Sequence, residues 1–193
     1  MPIKNKILDI KNLKKIRSKF IGKKIVLCHG VFDLLHVGHI NYFKSSKIYG
    51  DILVVSVTND KFVNKGPGRP AFSINNRLKF LQEIDCIDFL YVSNDATSEI
   101  VIKNLKPNFY CKGKDYSKSH AKDDRNLKKE ISALKTVKGK FKIIKEVSFS
   151  SSQFINENNL QNFNQNCKNY INSIRKKFNL EQIMLNLESI RKK

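Results

Sequence analysis

Five short apolar runs separated by stretches of helical periodicity limit this chain to one broad architecture. The runs are "KKIVLC", "DILVVSVT", "DFLYVS", "NFYCKG" and "FKIIKEV". Apolar runs of strand length that do not alternate with polar residues read as strands buried on both faces, the habit of parallel sheets. Between them lie helical patterns. "DIKNLKKIRSKF" sets Ile10, Leu13, Ile16 and Phe20 at helical spacing. "VGHINYFKSSKIYG" predicts a helix ending at Gly50, a residue able to take the left-handed position past a helix end. "SINNRLKFLQEI" predicts a helix with Ser73 as N-cap, "SEIVIKNLK" one stopped by Pro107, and "RNLKKEISALKTV" a further one. Strand–helix alternation predicts an α/β fold: a doubly wound, mainly parallel five-stranded sheet with helices on both faces. Ligands of such sheets bind outside the carboxyl ends of the strands, where the winding reverses.

The strand–helix pattern occupies residues 23–157. Residues 1–22 read as an N-terminal basic helix, and 158–193 as a linker and C-terminal amphipathic helix. "NENNLQNFNQNCKNY" is rich in Asn and Gln, while Leu180, Ile183, Met184, Leu187 and Ile190 form one helical stripe. Such a stripe needs a partner, as a docking segment, a linker remnant or a dimer element.

Charge bears on function. Lys and Arg number 37 against 17 Asp and Glu, a formal charge of +20. The basic residues are mostly Lys and run through the whole chain beside Asn and Ile. They read as solvated faces, with nucleic-acid binding the rival class. No apolar run has membrane-spanning length, and the N-terminus lacks a signal-peptide core, so a cytoplasmic protein is expected. Cys28, Cys86, Cys111 and Cys167 lack CxxC spacing and are expected as free thiols.

The chemistry concentrates in "CHGVFDLLHVGHINYF", which holds His29, His36 and His39, three of the four histidines in the chain. His36 and His39 fall where the loop after the first strand turns into a helix. A helix N-terminus presents unpaired N–H groups and the positive end of its dipole, so two imidazoles there would face the same anion. Gly38 between them lacks a Cβ, and Gly30 at the strand end is expected to be permissive in the same way. That design suits phosphoryl or nucleotidyl transfer, where fixed donors stabilise charge on the oxygens of the attacked phosphorus. The HExxH of zinc helices and the GxSxG of hydrolase elbows are absent.

"GVFDLLHVGH" resembles the signature of the HxGH nucleotidylyltransferases, in their cytidylyltransferase-like branch. "LVVSVTNDKFVNKGPGRPAF", "NNRLKFLQEIDCIDFLYV", "KPNFYCKGKDY" and "FSSSQFIN" follow in that family's order. The chain is most similar to the adenylyltransferase domain of bifunctional ADP-heptose synthases, then to glycerol-3-phosphate cytidylyltransferases. The latter carry an RTxGIS pattern whose arginine "KEVSFSSS" lacks. The resemblance implies a Rossmann-like domain that transfers a nucleoside monophosphate from ATP or CTP to a phosphorylated sugar or polyol, releasing pyrophosphate.

It also implies roles. His36 and His39 would hold the phosphates. Lys65, on a Gly-rich loop, would neutralise charge as pyrophosphate leaves, with Lys61 or Arg69 able to share that task. Gly30, Val31, Phe32, Asp33 and Gly38 would line the nucleotide. Arg77 would lie near the site, unless it is a helix-surface residue or pairs with Glu83 or Asp85. Lys112, Gly113 and Asp115 would lie against base and ribose. Ser150, Ser151 and Ser152 would direct hydroxyls and N–H groups at the phosphates. Mg2+ would arrive on the triphosphate, with no dedicated metal cage. A homodimer is expected, with no membrane partner, and the resemblance further implies a sugar-kinase domain following the C-terminus in related proteins.

Overall fold

The computed structural model describes residues 6–65, 69–116 and 125–145. Ser150, Ser151, Ser152, Cys167 and the expected tail helix lie outside the described residues. The chain divides into two compact units, 1–149 and 150–193.

The strands are β1 (Ile7–Leu8), β2 (Ile25–Gly30), β3 (Ile52–Thr58), β4 (Phe89–Ser93), β5 (Phe109–Gly113) and β6 (Lys140–Ile144), and the helices are α1 (Ile10–Lys19), α2 (Val37–Lys47), α3 (Ile74–Gln82), α4 (Glu99–Leu105) and α5 (Arg125–Thr136). One six-stranded sheet runs in the order β1-β4-β3-β2-β5-β6, with every pairing parallel. Five strands were expected. The sixth, β1, is a two-residue edge strand whose Ile7 and Leu8 pair with Leu90 and Tyr91. So short a segment carries no periodic signal, and only its partner makes it a strand.

Alternation along the strands sorts the core into two layers. Val26, Cys28, Leu53, Val55 and Cys111 pack with Tyr42 and Phe43 of α2 and Leu78 and Leu81 of α3. Ile25, Leu27, Val54 and Tyr110 pack with Leu13 and Ile16 of α1, Val101, Ile102 and Leu105 of α4, and Ala133 and Leu134 of α5. The winding therefore reverses between β2 and β5, and ligands of such sheets bind outside the carboxyl ends of the strands at that point. The basic helix α1 belongs to this core, with Leu13 and Ile16 buried.

Two local expectations are corrected. Gly50 does not take positive φ. Its value is a close approach, since a Cβ there would stand 2.7 Å from the Lys24 carbonyl oxygen. Ser73 holds the N-cap position of α3 but makes no side-chain cap bond. The Ile74 N–H donates instead to Asp60 Oδ2, at 3.0 Å.

Candidate active site

His36 is the N-cap of α2, with extended φ −142° and ψ 170°. Its ring folds back so that Nδ1 accepts a hydrogen bond from the Gly38 N–H at 3.1 Å. A neutral imidazole accepting at Nδ1 carries its proton on Nε2, so His36 turns a donor away from the helix. His39 lies one turn further on, and the two ring centroids are 4.1 Å apart. Among the described residues, nothing hydrogen-bonds the buried Nδ1 of His39. Leaving such a nitrogen unsatisfied costs about 1–3 kcal/mol, a cost that a ligand removes.

Burial, then the charges of His36 and Lys65, pull the His39 pKa down to about 4. Burial also lowers that of His36. Both rings are thus held neutral near pH 7. The charge of Lys65, an exposed residue, is thus felt at His39.

A buried scaffold holds the loops that carry these groups. Asp33 is 4% exposed, and its carboxylate accepts from the Ala71 and Phe72 N–H groups, each at 2.9 Å. Arg69 Nε stands 2.9 Å from the same carboxylate, a charge contact without hydrogen-bond alignment. Arg77 is fully buried. Its guanidinium donates to the carbonyls of Val31, Phe72 and Thr58 and to Asp60, the last at 2.5 Å. It is neither a helix-surface residue nor paired with Glu83 or Asp85. Together Asp33 and Arg77 clamp both ends of the lysine loop to residues 31–33.

Phe32 adopts a left-handed φ of 49°. Its ring lies across Gly30, where an added Cβ would come within 3.1 Å of the ring. The permissive role expected of Gly30 is thereby corrected: the space is filled by Phe32. Gly38 is likewise buried, with its N–H directed at His36.

His29 separates from the other two histidines. Alternation along β2 sends it to the opposite face of the sheet, where it is 6% exposed and its Nδ1 lies 3.1 Å from Ser56 Oγ. Burial first, then the charge of Lys112, push its pKa down to about 3. On the same face Lys112 Nζ is 3.4 Å from Glu130 Oε2, with both side chains buried. Gly113 ends β5, and a Cβ there would meet nothing within 4 Å. Asp115 lies in the 3-10 turn Lys114–Tyr116 that follows. Among the described residues no group of three or more His, Cys, Asp or Glu side chains converges as a metal site.

Sequence reasoning missed Asp60 and Glu130. Glu130 had a visible signal, a carboxylate on the otherwise apolar stripe Leu127, Ala133 and Leu134 of α5. Asp60 had none.

Paired neutral imidazoles at the first turn of a helix, set at the winding reversal of a parallel sheet, define a nucleotidyltransferase domain of the HxGH kind. The chain belongs to the cytidylyltransferase-like family, whose model matches residues 27–185. It is 41% identical over 115 residues to the bifunctional protein HldE of Geobacter metallireducens, covering 56% of this chain and 24% of that protein. To HldE of Aliarcobacter butzleri it is 33% identical over 140 residues, covering 69% and 29%. The chain thus spans about a quarter of the length of these relatives. A lipopolysaccharide core biosynthesis protein of Thermoplasma volcanium superposes with TM-score 0.52 at 29% identity, over 67% of this chain and all of that one. Pantoate-beta-alanine ligase of Francisella tularensis shares the fold, with TM-score 0.52 at 17% identity, over 88% and 85%.

Proposed function

We propose that this chain transfers a nucleoside monophosphate from ATP or CTP to a phosphorylated sugar, with a heptose-1-phosphate-like acceptor favoured. The observation that carries this reading is the His36–His39 pair, two neutral rings 4.1 Å apart at the α2 N-terminus, one with a buried nitrogen awaiting a partner. The acceptor's phosphate oxygen attacks the α-phosphorus in line. A phosphorus–oxygen bond to the acceptor forms, the bond to the β-phosphate bridging oxygen breaks, and pyrophosphate leaves with that electron pair. His36 and His39 donate to phosphate oxygens as charge builds on them. Lys65 neutralises the departing pyrophosphate. Asp33 and Arg77 act behind this layer by fixing the loops. Mg2+ enters as part of the substrate, on the triphosphate.

Similarity to the bifunctional HldE proteins supports the sugar-phosphate acceptor, and the missing RTxGIS arginine speaks against the glycerol-3-phosphate alternative. A sugar kinase, fused or separate, would supply the phosphorylated acceptor, and the active species would be a cytoplasmic homodimer. The test is pyrophosphate release from ATP, CTP, GTP and UTP, each crossed with heptose-1-phosphate and glycerol-3-phosphate. Release that requires both an NTP and a sugar phosphate is expected. Salt-sensitive retention of RNA or DNA with no release from any pair would overturn the reading in favour of nucleic-acid binding.

A further inference from the structure

Glu130 sits where a helix of ordinary function would carry an apolar residue. It is 2% exposed on the inner face of α5, between Leu127 and Leu134. Its carboxylate is fully engaged. Oε1 accepts from the Ser98 N–H at 2.8 Å. Oε2 accepts from the Tyr110 hydroxyl at 2.8 Å and lies 3.4 Å from Lys112 Nζ. Tyr110 in turn accepts from Ser98 Oγ at 2.9 Å. A buried ion pair is seldom the most stable filling of a core, and its best-attested use is to select one arrangement among several.

The arrangement leads to the carboxyl edge of the sheet. Lys112 is the penultimate residue of β5, beside β2. Its side chain is 5% exposed, so the ammonium does not itself enter the open space above the strands. It lies 4.5 Å from the centre of the Tyr116 ring and 5.4 Å from that of Tyr110. A cation held over an aromatic face fixes the ring. Tyr116 closes the 3-10 turn Lys114–Tyr116, which follows Gly113 at the carboxyl edge of the sheet. Among the described residues, a Cβ added at Gly113 would meet nothing within 4 Å.

We propose that Glu130 is a positioning residue for the bound NTP. Through Lys112 and the Tyr116 ring it sets the turn at residues 113–116, at the carboxyl edge of the sheet beside the winding reversal, where the NTP of the proposed reaction would bind. The inference rests on the nucleotidyl-transfer reading but names a different part of the site, α5, on the far side of the sheet from His36 and His39. It also assigns Lys112 an indirect role, as the link between Glu130 and Tyr116.

The test uses the full chain and two readouts, calorimetric affinity for ATP and CTP without acceptor, and pyrophosphate release with acceptor saturating. Glu130→Gln keeps an oxygen for the Ser98 N–H but loses the charge facing Lys112. It is expected to weaken affinity for the preferred NTP, and raise its KM, by about tenfold, with kcat within about twofold of the wild type. Tyr116→Leu should do the same, while Tyr116→Phe, which keeps the aromatic face, should bind as the wild type. The pair Lys112→Met with Glu130→Gln removes both buried charges, so its melting temperature should exceed that of Glu130→Gln while its NTP affinity stays low.

Unchanged NTP affinity in Glu130→Gln and Tyr116→Leu would overturn the proposal. So would wild-type affinity in the double variant, or weak binding by Tyr116→Phe. Because affinity is read without turnover, a wild type that binds NTP yet releases no pyrophosphate overturns the reaction and still tests the positioning role. A wild type that binds no NTP overturns both.

Discussion

The two faces of the sheet treat their polar groups in opposite ways at its carboxyl edge. On the α2 face, His39 keeps a buried ring nitrogen without a partner among the described residues, and His36 turns Nε2 outward. On the α5 face, Ser98, Tyr110, Lys112 and Glu130 satisfy one another, and His29 rests against Ser56. The contrast is instructive because His29 and His36 are near neighbours in sequence. A folded protein rarely leaves buried polar atoms unpaired. The unpaired ones are therefore the better guide to where a ligand belongs, and the paired ones to what holds that place in shape.

The strongest way to break the comparison is to attack the clamp that serves the α2 face. Arg77→Met removes four hydrogen bonds and leaves Asp60 without its buried cation. We expect a loss of about 3–5 kcal/mol of folding stability, read by chemical denaturation. A loss below about 1 kcal/mol would mean that the loops hold without the clamp.

His36→Ala and His39→Ala should act on rate instead. Each is expected to lower kcat by about 100- to 1,000-fold, as lost oxyanion-type donors do. Melting temperature should hold or, for His39, rise, since the unsatisfied nitrogen goes with the ring. Near-normal turnover in either variant would move the chemistry elsewhere.

Lys65→Ala should lower kcat by about tenfold while leaving the acceptor KM unchanged, because its charge is needed most as pyrophosphate departs. A change confined to the acceptor KM would reassign the lysine to the other substrate.

A pH dependence is shared by both faces. His29 and His39 titrate near 3 and 4 in the fold, below the ordinary 6.5. The unfolded chain therefore takes up protons as pH falls below about 6.5 while the folded chain does not, so stability falls with pH through this window. Each histidine contributes a slope of at most about 1.4 kcal/mol per pH unit, lost from the profile once pH passes below its folded pKa. Melting curves between pH 7 and 4 should show His29→Asn with a shallower decline than the wild type. An identical slope would mean that His29 is not held neutral.

Much of the fold could be read because its strands are buried on both faces and so carry continuous apolar runs. The helices between them keep one apolar stripe each. β1 escaped notice because two residues cannot show a period, and Ile7 and Leu8 are a strand only against Leu90 and Tyr91. His36 and His39 were legible at the start of α2 from their place after a buried strand. Arg77 could not be placed, since its four acceptors come from segments that meet only in the folded chain. The same holds for the Asp60 carboxylate that replaces Ser73 as the cap of α3.

Local periodicity and short motifs were enough to determine the parallel α/β plan, the position of the histidine pair at the first helix of the domain, and the family. They act over a few residues, and a single chain carries them openly. The folded structure alone decided that His29 faces away from its sequence neighbours, that Phe32 occupies the space beside Gly30, and that Glu130 holds Lys112. Each of those outcomes depends on which atoms meet across strands and helices far apart in sequence. A side chain's identity does not carry that information, because burial and partnership arise only when the sheet closes over it.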